Sequence, residues 1–156
     1  MSNPAHRVQD EEDATADYVL AEQIGFLLRR AHQRATSIFQ DVFEETSLTP
    51  QQFAVLVRLF EVGEVTQNKL GRLVDMDPAS MQGVIQRLKQ RELVYRVQDP
   101  QHKRRLKVQL TTNGRDMVNN CFTLGNHVSE LTLKPLDKSG QRELIRLLKM
   151  ITDPES

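Results

Sequence analysis

The stretch "TQNKLGRLVDMDPASMQGVIQRLKQRELVYR", residues 66–96, contains two short helical patterns separated by a tight polar turn. Each pattern begins at a capping residue, Thr66 for the first and Asp77, directly before Pro78, for the second. The second pattern runs to about Arg91 and carries small or polar residues on its outer face. Two short helices joined in this way predict a helix-turn-helix.

Two short runs after this motif, "LVYRVQ" and "RLKVQL", are rich in β-branched residues and flank the turn that begins with Asp99 and Pro100. They predict a two-stranded hairpin whose turn forms a wing. Because neighbouring strand residues face opposite sides, the turn residues Lys103 and Arg104 are best placed to reach DNA phosphates or the minor groove. The alternative is a solubilising hairpin tip.

The rest of the chain is predicted to be helical. Apolar residues at three- and four-residue steps predict a long amphipathic helix from Tyr18 to about Glu45. A second helix begins with a Thr49–Gln52 capping box and ends at Gly63. After the wing, "LTTNG" begins a fifth helix over 112–133, and Asp137 begins a sixth. The predicted fold is therefore mainly α, with six helices and a small β-hairpin wing.

Charge is segregated in this chain of 156 residues, which has no net charge. Residues 1–65 hold 5 Lys/Arg and 11 Asp/Glu, whereas residues 66–107 hold 10 and 4. A basic middle region in a neutral protein predicts a face that binds a polyanion, with a solvated face as the alternative. We expect residues 1–17 to be a flexible acidic arm.

The sequence predicts a cytoplasmic protein without a membrane span. No apolar run is long enough to cross a bilayer, and the acidic N-terminus lacks the apolar region of a signal peptide. The single cysteine, Cys121, fits a reducing compartment. The histidines and Cys121 lack metal-ligand spacing, so we expect no metal and no cofactor.

The second helix of the motif would enter the major groove N-terminus first, and glutamine there can make paired hydrogen bonds to adenine. Arg87 could contact guanine or phosphate, and its distance from the helix start favours phosphate. The predicted DNA-binding residues are Thr66, Gln67, Asn68, Pro78, Ala79, Ser80, Gln82, Gly83, Gln86, Arg87, Lys103, Arg104 and Arg105.

These motifs, together with "LTPQQFAVLVRL" and "LTTNG", resemble the MarR family of winged-helix transcriptional regulators from about Tyr18 to Ile151. The resemblance implies a homodimer, with residues 18–47 and 111–152 as dimerisation helices and 48–110 as the DNA-binding lobe. It also implies repression at a palindromic operator and release by a small, often aromatic and anionic, ligand. The stretch "YVLAEQIGFLLRRAHQR" is similar to family regulators of nicotinate or other aromatic-acid breakdown.

Two positions depart from the family pattern. His102 stands where the family usually has the Asp of an Asp-x-Arg wing motif that ends here at Arg104, so the usual brace of the wing is expected to be weakened. Glu92 stands where the family often has Gly. Because a left-handed Glu costs about 1 kcal/mol, the helix is expected to end by another route.

We expect His32, Arg29 and Arg58 to help bind an anionic aromatic effector. The alternatives are a hydrogen-bonded core or interface histidine for His32 and a surface ion pair for Arg58. Cys121 lies midway along an apolar helix pattern, which favours a buried thiol over a redox switch.

Other classes of protein remain as alternatives to a ligand-responsive repressor. An enzyme is not expected, because the chain has no Gly-rich phosphate loop and no nucleophile–base spacing. An effector-independent or redox-controlled DNA-binding protein is the main rival, and broad binding with only salt dependence would favour it. A third possibility is a winged-helix module that binds an acidic protein.

Overall fold

The structure, a computed structural model, describes residues 18–153, and the predicted arm over residues 1–17 lies outside them. Two compact units occur, one within Met1–Ala35 and one within Thr36–Ser156. The described elements are α1 (Ile24–Val42), α2 (Pro50–Val62), β1 (Val65–Thr66), α3 (Gln67–Leu73), α4 (Pro78–Gln90), β2 (Val94–Gln98), β3 (Leu106–Leu110), α5 (Thr112–Leu133) and α6 (Lys138–Thr152). The prediction of a mainly α winged helix-turn-helix is confirmed.

Helix α1 is shorter at both ends than the predicted span 18–45. A 3-10 turn, Leu20–Glu22, precedes it, and Gln23 then takes an extended conformation with φ −74° and ψ 128°. A second 3-10 turn, Glu44–Thr46, follows, and Ser47 turns into the left-handed region at φ 54°. The predicted bounds are wrong because the apolar spacing of the sequence continues past Gln23 and up to the Glu44–Thr46 turn, where the backbone leaves the α-helical conformation.

Helices α2, α3 and α4 begin where the sequence predicts. The Thr49 hydroxyl accepts a bond from the Gln52 backbone N–H at 3.2 Å, and the Gln52 side chain accepts from the Thr49 N–H at 3.1 Å. Thr66 and Asp77 cap α3 and α4 through their side-chain oxygens. These caps fix the start of both helices of the motif, because each satisfies an N–H that has no partner within the helix.

The predicted hairpin forms between β2 and β3, and a third strand, β1, which the sequence did not predict, pairs with β3 to give the order β1-β3-β2. In the added strand, Val65 pairs with Val108 and Thr66 pairs with Lys107. A two-residue strand has no alternating pattern to detect in sequence and forms only through this long-range pairing. Because α3 begins directly after β1, the pairing ties the helix-turn-helix to the wing.

Helix α4 ends through a left-handed Glu92, with φ 55°, so the expectation of another route is wrong. The Glu92 N–H donates to the Lys89 carbonyl and the Leu93 N–H donates to the Leu88 carbonyl, both at 3.0 Å. The Thr111 hydroxyl donates to the Glu92 carbonyl at 2.6 Å. The two backbone hydrogen bonds satisfy the carbonyls of Lys89 and Leu88 at the helix end, and they offset the strain of the left-handed Glu92.

The core lies within the second unit, where α2 to α5 and the sheet pack together. Its side chains come from every one of these elements and include Val55, Leu70, Ile85, Val108 and Val118. Phe39 and Phe43, which precede these elements in the chain, also belong to the core, and their rings stack with centroids 4.0 Å apart. The core thus holds α3, α4 and the wing on one framework.

Candidate nucleic-acid interface

The outer face of α4 is open to solvent as predicted. Ala79, Ser80, Gln82, Gln86 and Arg87 are exposed, and the four residues that face the core are buried. The latter are Met81, Val84, Ile85 and Leu88. Helix α4 is therefore held from one side only, and its opposite side carries small and amide side chains that allow DNA to approach closely.

The N-terminus of α4 is less open to phosphate than the sequence suggests. Asp77 accepts bonds from both the backbone N–H and the hydroxyl of Ser80. The hydroxyl bond, followed by the backbone bond, lowers the pKa of Asp77 below its usual range. A capping carboxylate thus stays ionised at this helix end, so a phosphate meets both the positive end of the helix dipole and a nearby negative charge.

Gln67 and Gln82, both predicted to bind DNA, are joined in the structure by Arg96, which was not predicted from the sequence. The Gln67 amide nitrogen donates to the Gln82 oxygen at 2.8 Å. Nη2 of Arg96 lies 2.9 Å from the Gln67 oxygen and 3.2 Å from the Gln82 oxygen. Side chains from α3, α4 and β2 are therefore tied together at the centre of this face.

Arg87 folds back along α4 toward its N-terminal half. A Cβ placed on Gly83 would lie 3.5 Å from the nearest guanidinium nitrogen of Arg87. The guanidinium thus lies over Gly83, and its charge is closer to the middle of the helix than the Cα position of Arg87 indicates.

The wing turn is closed by its own backbone. The Asp99 N–H donates to the Arg105 carbonyl at 2.9 Å, and the Arg105 N–H donates to the His102 carbonyl at 2.7 Å. Lys103, Arg104 and Arg105 are all exposed. The tip therefore presents its three cations to solvent on a backbone held by hydrogen bonds.

An ion-pair network braces the base of the wing. Nζ of Lys107 lies 3.0 Å from Glu64 and 3.6 Å from Asp99, which is buried. The Gln101 backbone N–H, and then the Lys107 charge, lower the pKa of Asp99. The Glu64 hydrogen bond, followed by the Asp99 charge, raises the pKa of Lys107. Lys107 thus connects the wing to the residue before β1, although His102 occupies the position of the family's usual Asp.

A groove of about 430 Å³ separates the start of α3 from the wing. It brings predicted DNA-binding residues from two distant segments together with Arg72, which was also not predicted from the sequence. Its lining is Thr66, Gln67, Asn68, Arg72, Arg104, Arg105 and Leu106. Three arginines converging on one groove make it suited to phosphate.

The predicted effector-binding residues belong to different units. In the first unit, His32 is exposed, and the Arg29 guanidinium lies 5.2 Å from the Phe26 ring centroid. In the second, Arg58 pairs with Glu61 at 2.7 Å, so the surface ion pair expected as the alternative to effector binding is present. Arg58 also lines a cavity of about 350 Å³ with Phe53, Ala54, Val57, Glu61, Leu73, Val74 and Asp75.

Comparison with known proteins agrees with this geometry. The MarR family profile matches residues 48–106. The HTH-type transcriptional repressor NicR of Pseudomonas putida is 34% identical over 138 residues, which are 88% of this chain and 87% of NicR. The chain belongs to the MarR family.

Solved structures of similar proteins share the fold. A probable transcriptional regulator from Pseudomonas aeruginosa is 41% identical, with a TM-score of 0.83 over 85% of this chain and 99% of that one. BpsR of Bordetella bronchiseptica, whose DNA binding is regulated by 6-hydroxynicotinic acid, is 34% identical, with a TM-score of 0.84 over 87% and 97%. The protein is accordingly a transcriptional regulator and not an enzyme.

Cys121 is buried, and its thiol lies 3.8 Å from the Met117 sulfur. Burial raises the pKa of this thiol, which lowers the fraction of reactive thiolate. The prediction of a buried thiol in this MarR-family protein is confirmed.

Within residues 18–153, no group of three or more His, Cys, Asp or Glu is arranged to hold a metal ion. Over that same span, no helix is long and apolar enough to cross a membrane.

Proposed function

We propose that the protein is a homodimeric repressor that binds a palindromic operator and leaves it when a small anionic aromatic ligand binds. The observation that carries the DNA-binding part is the groove between α3 and the wing, where Arg72, Arg104 and Arg105 converge beside the exposed face of α4. Together they offer a helix for the major groove and cations for the adjacent backbone. The proposed contacts are those predicted from sequence, with Arg72 added.

Exposed apolar side chains support a homodimer. Helix α6 leaves a row of large apolar residues open to water: Leu144, Ile145, Leu147, Met150 and Ile151. The first unit also exposes large apolar side chains to water: Tyr18, Val19, Leu20, Ile24, Leu27 and Leu28. Large apolar side chains exposed in such numbers on a helix are typical of an interface, so we assign dimerisation to residues 18–47 and 111–152 and DNA binding to 48–110.

Similarity to NicR and BpsR supports a nicotinate derivative as the effector, since BpsR responds to 6-hydroxynicotinic acid. Arg58 is the best-supported contact because it lines an otherwise largely apolar cavity and can pair with a carboxylate. To do so it must exchange Glu61 for the ligand. His32 and Arg29 stay predictions as further contacts.

The test is a DNA-binding assay on the region upstream of the protein's own gene, repeated with a panel of aromatic acids that includes 6-hydroxynicotinic acid. We expect specific binding that one acid reverses. The Arg58→Met variant should bind DNA as the wild type does but need at least about tenfold more acid for release, because methionine cannot form the charge-assisted hydrogen bond to the carboxylate. Glu61→Gln is the matched control and should not weaken the response, since it leaves Arg58 free for the ligand.

Two outcomes would count against the effector part of the proposal. Release by no acid in the panel would remove the aromatic ligand while leaving DNA binding intact. An unchanged response in a His32→Ala, Arg58→Ala double variant would remove those residues from the effector site.

A further inference from the structure

We infer that Arg96 is a positioning residue that decides which hydrogen-bonding group Gln82 presents to DNA. Gln82 lies on the exposed face of α4, and Arg96 lies in β2, where it is half-buried. The inference rests on the proposed DNA-binding function and deepens it by naming the base-edge chemistry that this helix position can recognise.

The three side chains form a closed triad. Nη2 of Arg96 is within hydrogen-bond distance of both glutamine oxygens, at 2.9 Å for Gln67 and 3.2 Å for Gln82. The Gln67 nitrogen lies 2.8 Å from the same Gln82 oxygen. The oxygen of Gln82 therefore faces two donors that come from two different elements.

Arg96 fixes the orientation of both amides. The oxygen and nitrogen of a glutamine amide have nearly the same shape, so hydrogen-bond partners decide which way the amide points. A guanidinium has only donors, and an amide nitrogen turned toward it would set donor against donor. Both oxygens must consequently face Arg96, which leaves the nitrogen of Gln82 as the group directed away from the triad.

Gln82 is thereby limited to donating. A carbonyl oxygen has two lone pairs, and in Gln82 both have donors. Glutamine pairs with adenine through its oxygen and its nitrogen together, so this paired contact would require the triad to open. A glutamine that only donates suits guanine O6 and N7, adenine N7 or thymine O4, and it disfavours cytosine, whose major-groove group is a donor.

The experiment selects binding sites from a random-sequence pool of duplex DNA, using the full chain and its variants. Gln82→Ala identifies the base position that Gln82 contacts, because its preference disappears there. At that position the wild type should reject cytosine. Arg96→Met should reduce this rejection about tenfold, since a freed amide can turn its oxygen toward the cytosine amino group.

Arg104→Met is the matched control, because it removes an arginine from the wing without touching the triad. It should weaken binding to all sequences equally and leave the selected motif unchanged. Gln67→Ala removes one donor to Gln82 while Arg96 stays in place, and it should relax the same base position in part. This variant carries the test if circular dichroism shows that Arg96→Met does not fold.

The results distinguish the inference from the proposed function. If Arg96→Met weakens binding uniformly, as Arg104→Met does, and cytosine is still rejected, the inference is wrong. It is equally wrong if Gln82→Ala changes no base position. If the wild type selects no motif at all, sequence-specific DNA binding itself is refuted, and the inference fails with it.

Discussion

Gly114, in the first turn of α5, occupies a place where no side chain fits. A Cβ built there would overlap the backbone carbonyl of Leu93 and press on the Leu110 side chain. The Thr111 hydroxyl caps the same turn by accepting the Gly114 N–H at 2.9 Å. This glycine therefore allows α5 to begin directly against the residue that leads into β2.

We predict that Gly114→Ala lowers the free energy of unfolding by about 3 kcal/mol, the upper end of the usual cost of overpacking, because the obstructing atom is backbone. Gly83→Ala is the matched control. There the new methyl would meet only the flexible end of Arg87 at 3.5 Å, so stability should stay equal or rise slightly. Chemical denaturation measures both, and equal stability of the two variants would contradict the packing argument.

Local chemistry made the caps at Thr49, Thr66 and Asp77 predictable from sequence, since each acts on a residue three positions away. Arg96 could not be found in this way. Its partners lie 29 and 14 residues away along the chain, and only the folded sheet brings them together. The positive φ of Glu92 was missed for the same reason, because the stabilising hydroxyl of Thr111 is 19 residues distant.

The wing is the element whose geometry depends most on charge. Lys107 joins Glu64 and Asp99, so removing it should loosen the base of the wing. We predict that Lys107→Met lowers the backbone order parameters of residues 99–105, as measured by NMR relaxation. The control, Lys103→Met, removes a charge at the tip and should leave the order parameters unchanged. Similar values in both variants would show that the ion pairs do not order the wing.

The same brace predicts a pH dependence. Because the pKa of Asp99 is lowered in the folded chain, its contribution to stability is present above the unfolded value of about 3.9 and is lost as pH falls through the folded value. The raised pKa of Lys107 keeps the cation charged throughout this range. The order parameters of the wing should therefore be flat from pH 8 to 5 and fall only below about pH 4. In Asp99→Asn this acid-induced fall should be absent, and an unchanged fall in that variant would show that Asp99 does not cause it.

Elements with a clear period were predicted well, and short ones were not. Helix α5 has the bounds expected from "LTTNG" and the apolar pattern that follows. Strand β1 was missed because two residues, Val65 and Thr66, carry no periodic signal. The wing was recognised, but its brace by Lys107 and Glu64 could not be, since Glu64 belongs to a segment more than 40 residues earlier.

At the scale of the whole molecule, the apolar row on α6 is the main support for the proposed homodimer. We predict that the double change Leu147→Glu, Ile151→Glu produces a monomer in sedimentation equilibrium, because charged groups cannot be buried unpaired in an apolar interface. Arg142→Glu adds the same residue to the polar side of α6 and should stay dimeric. A double variant that remains dimeric would place the interface elsewhere.

Salt-titrated affinity for DNA from the region upstream of the protein's own gene tests whether α4 and the wing form a DNA-binding face. The logarithm of the binding constant should fall linearly with the logarithm of salt concentration. In an Arg104→Met, Arg105→Met double variant the slope should become shallower, by about 0.9 for each phosphate that the variant no longer neutralises. An unchanged slope in this folded variant, or no wild-type binding at low salt, would be incompatible with a DNA-binding face formed by α4 and the wing.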